Sequence, residues 1–121
     1  MKENDIEEII QWYNSFTKIV RQLSMSAEEQ IQQLKGTVVT DELALDFSEI
    51  GIPYAQKLLS YGWITQDQFK LARDIEEKLG QMTQKKELWN DNALISSADW
   101  DSCRKSGMDL LQTLEKHIET I

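Results

Sequence analysis

Apolar residues recur at threes and fours along most of the chain, the spacing that gathers them on one side of an α-helix. From Glu3 to Leu23 the series is Ile6, Ile9, Ile10, Tyr13, Phe16, Val20 and Leu23. Glu3, Asp5, Glu7 and Glu8 crowd its first turns and Lys18 and Arg21 lie near its end, each sign where the helix dipole favours it. Ser26 and Glu29 have capping-box spacing, which predicts a shorter helix carrying Ile31 and Leu34 and stopped by a left-handed Gly36. Thr37, Val38 and Val39 then read as an extended link. Thr65 and Gln68 form another capping box, followed by Phe69, Ala72, Ile75, Leu79 and Met82 on one face, with Gly80 loosening the helix end. From Gln84 to Asn92 the pattern fails, and Trp89 is read as the apolar anchor of a loop holding a turn of helix. A last helix starts at Ser96 or Ser97 and runs to the C-terminus on Trp100, Cys103, Gly107, Leu110, Leu114, His117 or Ile118, and Ile121.

The stretch from Thr40 to Trp63 differs, because as a helix it is apolar or small around almost its whole circumference. Leu43, Phe47, Ile50, Tyr54, Leu58 and Tyr61 form one stripe, with Leu45, Ile52 and Leu59 roughly opposite. Ala44, Ser48, Gly51 and Ala55 make a row that a second backbone can approach. The polar strip is Glu42, Asp46, Glu49, Gln56 and Ser60. Such a helix is expected in a core, with Thr40 as N-cap and Asp41 and Glu42 in the first turn. Pro53 costs about 3 kcal/mol inside a helix. A continuous helix kinked near Pro53 is the first expectation, and a break with Pro53 opening a second helix is the alternative. The link Gly62-Trp63-Ile64 is short enough to make an antiparallel hairpin with the helix that follows. The fold expected is all-α: one compact domain over residues 1–121, a bundle of four to five helices around a central buried helix at about residues 40–62.

Composition agrees. One proline and five glycines in 121 residues are too few for a many-turned β fold. The formal charge of -8 sets the chain against phosphate backbones and anionic headgroups, so neither nucleic acid nor membrane is an expected partner. Solubility alone would explain that charge, and a basic protein partner steered by the field is the sharper reading. A homodimer is left open. Cys103 is the lone cysteine, so no intrachain disulfide forms. The N-terminus has no basic patch followed by an apolar run, and no stretch reaches membrane-span length, which points to the cytoplasm.

Candidate chemistry is sparse. Glu42, Asp46 and Glu49 share a helical face, as paired carboxylates for acid–base work or a hard cation would. Di-metal carboxylate bundles also need Glu-x-x-His elements, and Leu114 stands three residues before His117, the single histidine. Cys103, on the apolar side of its helix, reads as a small inert hydrophobe. No phosphate loop, zinc cluster or nucleophile elbow is present, so no cofactor, metal or catalytic site is expected. Trp12, Trp63 and Trp89 stand out because Trp12 flanks a core face and the other two fall at helix junctions. Aromatics so placed plug the ends of bundles, and they are also the residue type enriched at binding hot spots.

A small, acidic, motif-free, all-helical chain resembles the immunity proteins that bacteria make alongside polymorphic or contact-delivered toxins. The resemblance covers the whole chain in size, charge and helical content. The acid-rich helix of the nuclease-neutralising members has a loose counterpart in Asp41, Glu42, Asp46 and Glu49, whereas the tyrosine-pair motif of the DNase-colicin immunity proteins is missing. It implies a non-enzymatic, stoichiometric inhibitor whose carboxylates meet the basic cleft of a nuclease-like toxin, with Trp12, Trp63 or Trp89 as anchor. The competing reading is a helical adaptor or regulatory subunit that takes a partner in an apolar groove. An enzyme would need a pocket of convergent polar groups near Glu49 or His117.

Overall fold

The structure, a computed structural model, describes residues 3–119, with side chains described over residues 5–115. The side chains of His117, Ile118 and Ile121 lie outside the described residues. Helix α1 spans Glu3–Ser24, α2 Ala27–Gln33 and α3 Val39–Leu45; a π-helical turn, Asp46–Gly51, leads without interruption into α4, Ile52–Ser60. Helix α5 spans Gln66–Met82, a 3-10 turn spans Lys86–Leu88, and α6, Asp91–Ser96, precedes α7, Ala98–Glu119. Among the described residues there is no strand. Helix α1 packs on α7 along one side and on α4 and the π turn along another, α5 bridges α4 and α7, and α6 joins α7 to α2 and α3.

Local chemistry explains most boundaries. Ser26 Oγ accepts the Glu29 amide at 3.2 Å, and at Thr65 both halves of the capping box are made, with the Gln68 side chain taking the Thr65 amide at 2.8 Å. Gly36 and Gly62 have φ of 95° and 76°, the left-handed conformation that ends α2 and α4. The α5 stripe is buried from Ala72 to Met82, and α5 runs past Gly80. In α7, Trp100, Cys103, Leu110 and Leu114 are fully buried, and Gly107 faces α1 so closely that a Cβ there would lie 2.8 Å from Ser24 Oγ.

The long helix from Val39 to Ser60 is the largest departure from the periodicity. Its burial is one-sided: Leu43, Phe47, Ile52, Ala55 and Leu58 face the core, whereas Leu45 and Ile50 are 49% and 42% exposed. The cause is the π turn. Ile52 donates its amide to Phe47 O, five residues back, so the inward face steps from Phe47 to Gly51 and Ile52, and Ile50 is turned outward. The extra residue also resolves the proline problem, because Pro53 has no N–H to donate and its ring would meet the Glu49 carbonyl in a regular turn. The helix therefore neither breaks nor buries all round. Gly51 and Ala55, from the row of small residues, receive α1, with Ile19 Cγ2 3.4 Å from where a Gly51 Cβ would be.

Three further expectations are corrected. Thr40 is not the N-cap: the helix starts at Val39 after an extended Val38, and Thr40 is fully buried with its hydroxyl unpartnered. The expected turn of helix within Gln84–Asn92 is the 3-10 turn Lys86–Leu88, but a further helix, α6, starts at Asp91 and fills the stretch up to Ser96; Asn90 caps it by accepting the Ala93 amide at 2.8 Å. Between α5 and α6 Leu88 is buried more deeply than Trp89.

A buried polar junction fastens one end of the bundle. Gln30, fully buried on α2, donates to Gln22 O at 3.1 Å and Leu23 O at 2.9 Å, carbonyls in the last turn of α1 that have no helical partner. Arg104 on α7 donates to Leu94 O of α6 at 2.9 Å and reaches Gln30 Oε1 at 3.4 Å. Two helix ends are thus satisfied by side chains from two other helices.

Candidate functional site

The outer face of α3 and the π turn brings Glu42, Asp46 and Glu49 together. Glu42 and Asp46 are one α-helical turn apart, and Glu49 follows within the wide turn. Asp46 is partly buried, and that burial, followed by the charges of Glu42 and Glu49, holds its carboxyl above the ordinary aspartate value. Among the described residues no ion pair involves Asp41, Glu42, Asp46 or Glu49. Beside the carboxylates, Val38, Leu45 and Ile50 stand out to solvent, Val38 at 60% exposure. Acidic and apolar groups therefore share one exposed face.

The like charges have a measurable consequence. A carboxyl whose pKa is higher folded than unfolded binds its proton more readily in the folded state, so its contribution to stability is present at low pH and lost as pH rises through the folded value. Asp46→Asn is accordingly expected to stabilise the fold at pH 7 by roughly 0.5 kcal/mol, the size of two like-charge contacts at helical spacing. In urea titrations at several pH values the gain disappears below the ordinary aspartate range. A variant no more stable than wild type at pH 7 would show that neither burial nor the neighbouring charges disfavour the ionised Asp46 carboxyl.

The tryptophans separate into two places. Trp12 tilts against Tyr61 with ring centroids 5.8 Å apart, and Lys57 Nζ lies 4.9 Å from the Trp12 ring and 5.7 Å from that of Tyr54. Trp63 packs on Tyr13 at 6.0 Å. Both therefore sit where α1 meets the α4–α5 link, and Lys57 is roughly 12 Å along the helix axis from Glu49. Trp89 instead lies against the start of the acidic helix: with Asp41, Ala44, Leu45 and Thr83 it lines a shallow depression of about 340 Å³. Its indole is fixed from behind, donating to Met82 O at 3.0 Å and packing edge-on to Trp100 at 5.4 Å and 82°. Of the six residues singled out in the sequence, four thus fall on or beside the α3 face, and Trp12 and Trp63 do not.

Leu45 and Ile50 are surface residues that the sequence pattern does not reveal, because a regular helix places Ile50 inward and the overall pattern places Leu45 in a core. Elsewhere, Met25, Ile95 and Met108 line a depression of about 650 Å³ beside Arg104 and Lys105. Cys103 is buried 3.5 Å from Met82 Sδ, and burial pushes its thiol up to about 11. Among the described residues no group of histidine, cysteine and carboxylate side chains has the arrangement of a metal site, and no helix is long and apolar enough to cross a membrane. No protein-family model, curated protein or solved structure matches the chain.

Proposed function

We propose that this protein is a non-enzymatic binding domain, an immunity-type stoichiometric inhibitor of a basic, nuclease-like bacterial toxin, and that it docks through the outer face of α3 and the π turn. One observation carries the reading: four carboxylates that make no ion pair among the described residues share that face with three exposed aliphatic side chains. Carboxylates left unpaired on a helix are free to meet cations of a partner, and the aliphatic groups beside them supply the desolvated contact that charge alone does not. Asp46 fits the same picture: burial first, and then the charges of Glu42 and Glu49, raise its pKa, and a nearby cation would offset both.

The test is co-purification with the products of neighbouring genes. Recovery of one basic protein in equal amount, lost when Glu42, Asp46 and Glu49 are all changed to Lys, is expected. Recovery undiminished in that variant would sink the docking face, and recovery of no protein would sink the inhibitor reading.

The adaptor reading has its own observation, the apolar side chains Met25, Ile95 and Met108 around the depression at the start of α2. It places the contact on the opposite kind of surface, so the captured partner would survive high salt and the triple reversal but be lost on Met108→Lys.

A further inference from the structure

We infer that the depression beside Trp89 is a seat for a single cationic side chain, arginine above all, from the basic partner; this rests on the docking reading above. Its lining sorts by chemistry. Ala44, Leu45 and Trp89 form apolar walls, the Thr83 hydroxyl is spent on Gly80 O at 2.6 Å, and Asp41 is exposed and makes no ion pair among the described residues. At about 340 Å³ it is at the small end of ligand sites, the size for one long side chain rather than an extended ligand.

Walls without a charge would accept any aliphatic residue. The carboxylate of Asp41 selects one whose apolar stem ends in a cation, and Glu42 and Asp46 on the same helix repel anything anionic. Lys85 is held by Asp99 at 3.5 Å, and neither Lys85 nor Lys86 lines the depression. Asp41 is therefore available. Arginine is favoured over lysine because a planar guanidinium lies flat on an indole while its N–H groups reach a carboxylate, whereas an ammonium is a strongly hydrated point charge. The indole is also held in place before anything binds, by Met82 O behind it and Trp100 edge-on beneath, so little freedom is lost on contact.

The test titrates the full chain at constant ionic strength with N-acetyl-arginine amide, following the tryptophan indole N–H signals and leucine methyls by NMR. N-acetyl-citrulline amide, the same shape without the charge, is the control. The expected result is a saturable shift confined to the Trp89 indole and Leu45, roughly tenfold weaker with citrulline amide or in the Asp41→Asn variant. Asp41 is on the surface, so that variant folds. Shifts spread over all four tryptophans, or equal for the two amides, would overturn the seat. A partner captured by wild type, lost in the Glu42/Asp46/Glu49 reversal and retained undiminished by Asp41→Asn with Leu45→Ser, would also overturn the seat while leaving the docking face standing.

Discussion

Trp100→Ala lowers the unfolding free energy by about 3–5 kcal/mol, the range for deleting a large aromatic side chain from a packed core. Trp100 is fully buried, donates its indole N–H to Leu88 O at 2.7 Å, and supports Trp89 edge-on. The substitution removes three things at once: the largest side chain of the core, the partner of a buried carbonyl, and the backing of the residue beside the acidic helix. For a domain whose whole stability is of order 5–15 kcal/mol, that is a large share. Urea unfolding followed by circular dichroism measures it, and Trp100→Phe separates the parts, since it keeps a ring but leaves Leu88 O without its donor. The Phe variant is expected to lose about half as much. A loss under about 1 kcal/mol for Trp100→Ala would mean that this region is not packed as described.

The second large effect falls on the polar junction. Gln30→Ala strips the Gln22 and Leu23 carbonyls of their donor and takes the acceptor from Arg104; Arg104→Met does the same to Leu94 O. Buried groups left without partners cost their full desolvation, so each change is expected to destabilise by about 2–4 kcal/mol. Because both belong to one network, the double variant should lose less than the sum, by about 1 kcal/mol in a double-mutant cycle. Additive losses would indicate that the 3.4 Å contact between Gln30 and Arg104 couples nothing. The salt bridge of Arg104 to Asp101, at 3.8 Å and with Asp101 largely exposed, adds little to this account.

The fold was legible where one physical signal dominated. Helices α1, α5 and α7 each bury a stripe that steps by threes and fours, although Ile6 and Ile10 of the α1 series are 42% and 43% exposed, and at Ser26 and Thr65 the capping side chain is adjacent to the amides it serves. Legibility failed where the period itself changes. On either side of the π turn the apolar positions follow two registers offset by one residue, and a reader assuming one period merges them into a helix that is apolar all round. Thr40 misled for a related reason: a threonine before two acids looks like a cap, yet Val39 and Leu43 draw the chain into the core one residue earlier. Helix α6 is under two turns long, too short for periodicity to register, although Asn90 with Ala93 three residues on was a usable signal. Gln30 and Arg104 could not be placed inside from composition, because what buries them is a set of carbonyls brought together only by the tertiary fold.

The candidate site divides in the same way. Glu42, Asp46 and Glu49 were legible as a face because their spacing survives the wide turn. The aliphatic members of that face were not, since Ile50 is outside only because the π turn puts it there. Trp89 was legible as unusual but not as a neighbour of Asp41, which lies 48 positions earlier in the chain and meets it only through packing.

The most direct test of the docking face is the association rate of the captured basic partner as a function of ionic strength, by stopped-flow tryptophan fluorescence, for wild type and for the Glu42/Asp46/Glu49→Lys variant. The wild-type rate is expected to fall about tenfold or more from roughly 50 mM to roughly 500 mM salt, and the variant to associate slowly at every salt concentration. A wild-type rate indifferent to salt and equal to that of the variant would contradict the docking face, and would move the contact to the depression around Met25, Ile95 and Met108.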